Sequence, residues 1–151
     1  MMKRAIAYLA LGALWACTDA TGPADDLLAN RGKWLSQYLA DYTYEYERWC
    51  FCRLGPQPVR LTVHDDSIVA AVVVATGEIL TPADIAREGF RTVDELFAVI
   101  LDAIAQGADE LDVDYDPRLG YPRLIAIDPD HQSVDEEVTY RTANLIGLRP
   151  R

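Results

Sequence analysis

Apolar residues recur at helical spacing in two segments of the chain. In residues 25–40 they stand three and four positions apart, which predicts an amphipathic helix. The second segment begins after Thr92, a favoured N-cap residue, and Glu95 completes a capping box with it. Gly107 stands where a helix should end, so a second helix is predicted between Thr92 and Gly107.

After the first helix the hydrophobic pattern changes to a period of two. Tyr42, Tyr44 and Tyr46 alternate with polar residues, which predicts one face of a long strand. We interpret this aromatic stripe as core, with an exposed partner-binding surface as the alternative. Residues 59–64 form a second alternating run, and the nearly continuous valine and alanine run at residues 68–75 predicts a central strand.

Three more strands are predicted after the second helix, over residues 111–116, 123–128 and 136–145. The order of elements is therefore helix, three strands, helix, three strands. Such a chain is expected to form an α+β domain, with one antiparallel sheet of about six strands and two helices packed on one face. The repeated order further suggests two similar halves.

The first 16 residues have the composition of an export signal. Lys3 and Arg4 give a basic start, and the apolar run that follows, of about a dozen residues, is too short to span a membrane. The run ends in the sequence L-W-A-C, which resembles the bacterial lipobox. This resemblance implies cleavage before Cys17 and attachment of a lipid to its thiol.

We therefore expect a signal peptide over residues 1–16, a lipidated Cys17 with a short tether over residues 17–26, and a single α+β domain over residues 27–148. The alternative is an ordinary secretory signal whose cysteine is incidental. The expected location is the extracytoplasmic side of the cell envelope, with the N-terminal lipid as the only attachment to the membrane.

Composition narrows the classes of function. Half of the 151 residues are hydrophobic and 25% are charged, which is typical of a folded globular domain. The formal net charge of -10 opposes binding to nucleic acids and to anionic lipid surfaces. The sequence contains no glycine-rich phosphate loop, no CxxC pair and no His-Glu zinc signature.

Two further cysteines, Cys50 and Cys52, follow the tyrosine stripe. In a strand their side chains point the same way, and their Cα atoms lie about 6.5–7 Å apart, at the edge of disulfide reach. We interpret them as a structural disulfide or as two buried thiols. A redox switch and a soft-metal site are the alternatives.

Carboxylates gather around a predicted hairpin at residues 112–137. Asp112, Asp114 and Asp116 alternate along one face of a strand, and Asp128 ends the next strand. Calcium prefers such hard oxygen ligands, but the glycine and the distal glutamate of a calcium loop are missing. We interpret the hairpin as a solvated face with turn-forming aspartates, and a calcium site on these four residues is the alternative.

The residue types of a hydrolase are present but show no catalytic spacing. His64 and His131 lie beside aspartates near predicted turns, and Ser67 and Ser133 are the nearby hydroxyls. No nucleophile elbow and no triad spacing accompanies them. An enzyme is therefore the least supported class of function.

A combined pattern over residues 30–146 resembles a known family. It comprises Trp34, the sequence T-V-D-E-L-F from Thr92, and the sequence Y-D-x-x-x-G-Y-P from Tyr115, followed later by D-E-E. These features are similar to those of bacterial secreted lipoproteins catalogued as the domain of unknown function 6174 family. The resemblance implies an exported, lipid-anchored single domain, and it implies no activity, cofactor or catalytic residue.

Within that motif, three residues are expected to shape the hairpin. Gly120 can supply a position of positive φ, and Tyr121 and Pro122 can stiffen the entry to the next strand. These structural roles explain the motif without a catalytic or ligand-binding role.

The sequence as a whole favours a non-catalytic binding module of the cell envelope. We expect an envelope protein or peptide as its partner, bound through the sheet face or the acidic hairpin, and no cofactor. One alternative is a calcium-dependent structural or sensing module that uses the hairpin. Another is a redox or soft-metal protein built on Cys50 and Cys52.

Overall fold

One six-stranded antiparallel sheet organises the fold. A computed structural model describes residues 22–49, 55–132 and 136–148. The strands are β1 (Tyr42–Trp49), β2 (Val59–His64), β3 (Ser67–Val73), β4 (Glu110–Tyr115), β5 (Pro122–Asp128) and β6 (Val138–Gly147). Their order across the sheet is β3-β2-β1-β6-β5-β4, so the first and last of these strands pair at the centre.

Three helices accompany the sheet: α1 (Pro23–Leu35), α2 (Pro82–Glu88) and α3 (Val93–Gln106). α1 and α3 contact each other and bury their apolar side chains in one core on one face of the sheet. The α+β class, the antiparallel sheet and the order of the main elements are confirmed, and α2 is an additional short helix. None of the described helices is of a length and hydropathy that would let it cross a membrane.

The tyrosines of β1 lie at the centre of the core. Tyr42 and Tyr44 are fully buried, and Tyr46 is 2% exposed. Trp34 of α1 meets Tyr42 edge-on, with ring centroids 5.3 Å apart, and Phe90 meets Tyr46 in the same way at 5.7 Å. The core interpretation of the aromatic stripe is therefore confirmed.

Hydrogen bonds join the start of α3 to these tyrosines. The hydroxyl of Tyr42 accepts the N–H of Val93 at 3.0 Å, and the hydroxyl of Tyr44 donates to the carbonyl of Arg91. The predicted capping box is present, because Thr92 and Glu95 each accept the other's backbone N–H. These polar groups lie in or beside the core, where each would lose its partner if α3 moved away from β1. The hydrogen bonds therefore hold α3 against β1.

The first helix is shorter than predicted. It ends at Leu35 rather than at residue 40, and Ser36 and Gln37 form the turn that follows. Tyr38 then adopts a left-handed φ of 52° and is 92% exposed. The apolar spacing continues past Leu35, but the chain must turn there to enter the sheet.

The prediction of a central strand at residues 68–75 is wrong, because β3 is an edge strand. A returning segment covers part of its outer side. Val73 donates to the carbonyl of Glu78, and Leu80 donates to the carbonyl of Ala71, both at 2.9 Å. This covering explains why an edge strand carries such an apolar sequence.

The sheet order does not support two equivalent halves. In the first half the first strand, β1, is internal and the last, β3, is at the edge. In the second half the first strand, β4, is at the edge and the last, β6, is internal. The similar order of elements along the chain therefore does not extend to the sheet.

Candidate functional site

The connection between β4 and β5 is shaped by Asp116 and Gly120. A side-chain oxygen of Asp116 accepts the N–H groups of Arg118 at 3.0 Å and Leu119 at 2.7 Å. The backbone carbonyl of Asp116 accepts the N–H of Gly120. Gly120 has a φ of +83°, and a Cβ atom there would lie 2.3 Å from the carbonyl oxygen of Asn30. Asp116 thus forms the turn, and Gly120 lets the turn pack on α1.

The next two residues of the motif are buried. Tyr121 is 5% exposed, and its carbonyl accepts the N–H of Asp116 at 2.8 Å. Pro122 is the first residue of β5, and its carbonyl accepts the hydroxyl of Thr142 on β6. The motif therefore connects the hairpin to both α1 and the centre of the sheet.

The aspartates predicted as calcium ligands have separate environments. Asp114 accepts two hydrogen bonds from Arg123, at 3.1 Å from Nε and 2.6 Å from Nη2. Asp128 lies 2.5 Å from Nδ1 of His131. Asp112 is exposed and makes no ion pair with a described residue. The described residues contain no group of three or more potential metal ligands that includes any of these aspartates or Asp116.

The two histidines lie at opposite ends of the sheet. His64 ends β2, beside the start of β1, and its Nδ1 lies 2.5 Å from Asp41. His131 follows β5, where Asp128 raises the pKa of the imidazole by accepting its hydrogen bond. Neither ring bonds to Ser67. The histidines therefore do not converge on a hydroxyl nucleophile in the described part of the chain.

Asp41, His64 and Asp65 are the one group of three potential metal ligands within the described residues. His64 already holds Asp41 through Nδ1, and its Nε2 lies 3.5 Å from Asp65. The imidazole and the Asp65 carboxylate are mostly exposed. Hydrogen bonds from His64 and from the backbone N–H of Asp65 to Asp41 join the β2–β3 turn to the start of β1.

Several predicted features lie outside the described residues. They are Cys17 with the predicted signal peptide at residues 1–16, the pair Cys50 and Cys52, and Ser133. The interpretations of the cysteine pair as a disulfide, as free thiols or as a redox or metal site therefore stay predictions.

A groove runs along β4 on the helix side of the sheet. Its volume is about 220 Å³. Pro23 and Asp26 line it from the start of α1, and β4 contributes Asp112 and the three residues Leu111, Val113 and Tyr115. These three strand residues are half-buried at the border of the core, so an apolar surface remains accessible beside the strand.

The two edges of the sheet differ in their backbone hydrogen bonds. The outer side of β3 is paired in part with residues 78–80. β4 pairs with β5 alone, and no described residue hydrogen bonds to the outer backbone groups of β4. A strand with such groups can accept a further strand.

Negative charge surrounds this open edge. Glu110, Asp112 and Asp114 alternate along the side of β4 that faces away from the helices. On the helix side, burial and, to a smaller extent, the nearby charge of Asp26 raise the pKa of Tyr115 to about 12. The groove is therefore lined by apolar residues of β4 together with Asp26 and Asp112.

The uncovered face of the sheet carries a second depression, of about 280 Å³. Glu45 lies in it and accepts hydrogen bonds from Arg60 at 2.9 Å and Asn144 at 2.8 Å. The bond from Arg60 is the main reason that the pKa of Glu45 is lowered. The charge of Glu45 is therefore neutralised within the protein.

Comparison with known proteins identified one family. A model described as a family of unknown function (DUF6174) matches residues 26–147. The matched stretch begins within α1 and ends at the last residue of β6, so it includes the groove and the hairpin. Neither the curated proteins nor the solved structures contain a match.

Proposed function

The chain belongs to the DUF6174 family of unknown function, and we propose that it is a non-catalytic binding domain held at the cell envelope by a lipid on Cys17. Its partner is an envelope protein or peptide that binds at the β4 edge. The observation that carries this proposal is the difference between the two sheet edges. One edge is partly closed by the chain itself, and the described residues leave the other open beside a groove.

The separation of the titratable side chains supports binding rather than catalysis. General acid–base catalysis needs side chains that converge on a common reacting group. His64 and His131 lie at opposite ends of the sheet, and each is held by an aspartate. The described residues place no hydroxyl in hydrogen-bond contact with either ring.

The position of the groove fits a domain on a short tether. Pro23 lines the groove and stands six positions after Cys17, so the connecting chain spans no more than about 20 Å when fully extended. A lipid on Cys17 would hold the β4 edge close to the membrane surface. The edge would then face proteins of the same membrane or of the adjoining compartment.

The anchor is tested by replacing the acylated residue. We expect wild-type protein in the membrane fraction, labelled by a clickable fatty-acid precursor, and we expect the Cys17→Ser variant in the soluble fraction without label. Wild-type protein that is soluble and unlabelled would overturn the anchoring. Amide exchange of the released variant should match that of the wild type in the described helices and strands.

The binding surface is tested by photocrosslinking in intact cells. A photoreactive amino acid replaces Asp112 on the open edge, Ser67 on the opposite edge, or Asp102 on the exposed side of α3. We expect one adduct of defined mass from position 112 and none from the two control positions. The same adducts from all three positions, or none from position 112, would contradict binding at the β4 edge.

A further inference from the structure

We infer that the β4 edge binds an extended peptide segment in which basic and apolar residues alternate, and that this segment adds to the sheet as a seventh strand. The inference rests on the proposed function and adds the chemistry of the partner. It follows from three features of β4: the backbone groups on its outer side, the apolar residues on its helix side, and the carboxylates on the opposite side.

The backbone of β4 is available for pairing. Glu110 to Tyr115 pair with β5 on one side only, with a register shift between Asp114 and Tyr115. Alternate residues of such a strand direct their N–H and C=O groups away from the sheet, and the described residues provide no partner for these groups. A peptide in extended conformation satisfies these groups without any rearrangement of the fold.

The helix side of the edge selects apolar side chains at every second position. Leu111, Val113 and Tyr115 share this side, and Pro23 and Asp26 of α1 form the facing wall of the groove. Because side chains alternate across a strand, every second residue of an added strand lies over this groove. Apolar residues there would remove the half-buried surface of β4 from water.

The opposite side of the edge selects basic side chains at the intervening positions. Arg123 already neutralises Asp114, with Nη2 at 2.6 Å. Glu110 and Asp112 make no ion pair with a described residue. Two lysine or arginine residues of an added strand would therefore meet these two carboxylates across the new ladder.

The same charges disfavour a second copy of the chain as the occupant. Pairing of two β4 edges brings Glu110, Asp112 and Asp114 of one copy close to the same carboxylates of the other. Like charges facing each other across a ladder are destabilising, and each chain carries a net charge of -10. The acidic edge thus opposes self-association and admits a cationic strand.

Peptide binding to the full-length protein in a non-ionic detergent tests the inference. The probe is a dye-labelled nonapeptide of alternating lysine and valine, and binding is measured by fluorescence anisotropy. Its controls contain the same residues in two blocks, or glutamate in place of lysine. We expect both controls to bind at least about tenfold more weakly. Equal binding of the alternating and block peptides would overturn strand addition, because charge alone would then explain the affinity.

Backbone methylation of the peptide separates strand pairing from side-chain contact. N-methyl groups on the residues that face β4 remove donors to the edge, and N-methyl groups on the other residues point to solvent. We expect one methylated series to lose binding and the other series to retain it. Loss in both series or in neither would overturn the seventh-strand arrangement.

A pair of charge reversals locates the site on the protein. Asp112→Lys lies on the open edge, and Asp102→Lys makes the same change of net charge on α3. We expect at least about tenfold weaker binding for the first variant and little change for the second. Equal losses would overturn the site. If crosslinks from position 112 capture a partner but the alternating peptide does not bind, the inferred peptide class is wrong and the proposed function stands.

Discussion

Gly120 lies so close to α1 that a Cβ atom on it would stand 2.3 Å from the carbonyl oxygen of Asn30. The Cβ atom of Lys33 would lie 2.7 Å away on the same helix. The β4–β5 turn therefore packs directly on the helix whose first residue lines the groove.

Replacement of Gly120 by alanine should destabilise the protein strongly. Alanine is strained at a φ of +83°, and its methyl group collides with backbone, so we expect a loss of about 2–4 kcal/mol in the free energy of unfolding. Gly77→Ala is the matched control, since Gly77 has a φ of +73° and no atom within 4 Å of the added Cβ. It should cost about 1 kcal/mol. Urea unfolding measures both variants, and equal losses would show that the packing against α1 contributes nothing.

The bond between Tyr42 and α3 should contribute measurably to stability. Tyr42→Phe keeps the ring in the core but leaves the N–H of Val93 without its acceptor, so we expect a loss of about 1–3 kcal/mol. Tyr38→Phe is the control, because Tyr38 is 92% exposed, and its effect should stay within about 0.5 kcal/mol. A Tyr42→Phe variant as stable as wild type would mean that the bond is not formed in solution.

Amide hydrogen exchange should distinguish the two sheet edges. The N–H of Val73 is bonded to the carbonyl of Glu78, so we expect slow exchange there although β3 is an edge strand. In β4 every second amide should exchange rapidly, and the amides bonded to β5 should be protected. NMR spectra recorded after transfer to deuterated buffer report each position. Uniform protection along β4 would contradict an open edge.

His131 should titrate above the ordinary histidine pKa of 6.5, because Asp128 accepts its hydrogen bond. The raised pKa means that the folded state favours the protonated ring. The stabilising contribution is therefore fully present below the unfolded pKa and is lost as the pH rises through the folded pKa. NMR titration of the ring protons measures the midpoint. Asp128→Asn should return it towards 6.5, and an unchanged midpoint would exclude Asp128 as the cause.

The sequence predicted those elements whose boundaries are set by residues a few positions apart. Thr92, Glu95 and Gly107 predicted α3, and the structure places that helix at Val93–Gln106. The alternation of tyrosines likewise predicted the buried face of β1. Both succeed because capping and strand alternation are set by residues a few positions apart.

The position of the strands in the sheet could not be predicted in this way. The apolar sequence of β3 indicated a central strand, but coverage by residues 78–80 gives an edge strand the same composition. The groove beside β4 was also missed, because it depends on which strands become edges and on where Pro23 begins α1. Neither property is encoded in a short stretch of residues.

The central pairing of β1 with β6 also determines when the protein can fold. Asn144 donates to Glu45 at 2.8 Å across 99 positions of the chain. Contacts of such long range form late, because a large loop must close before they contribute any stability. A chain that emerges N-terminus first therefore cannot complete its core until β6 has followed.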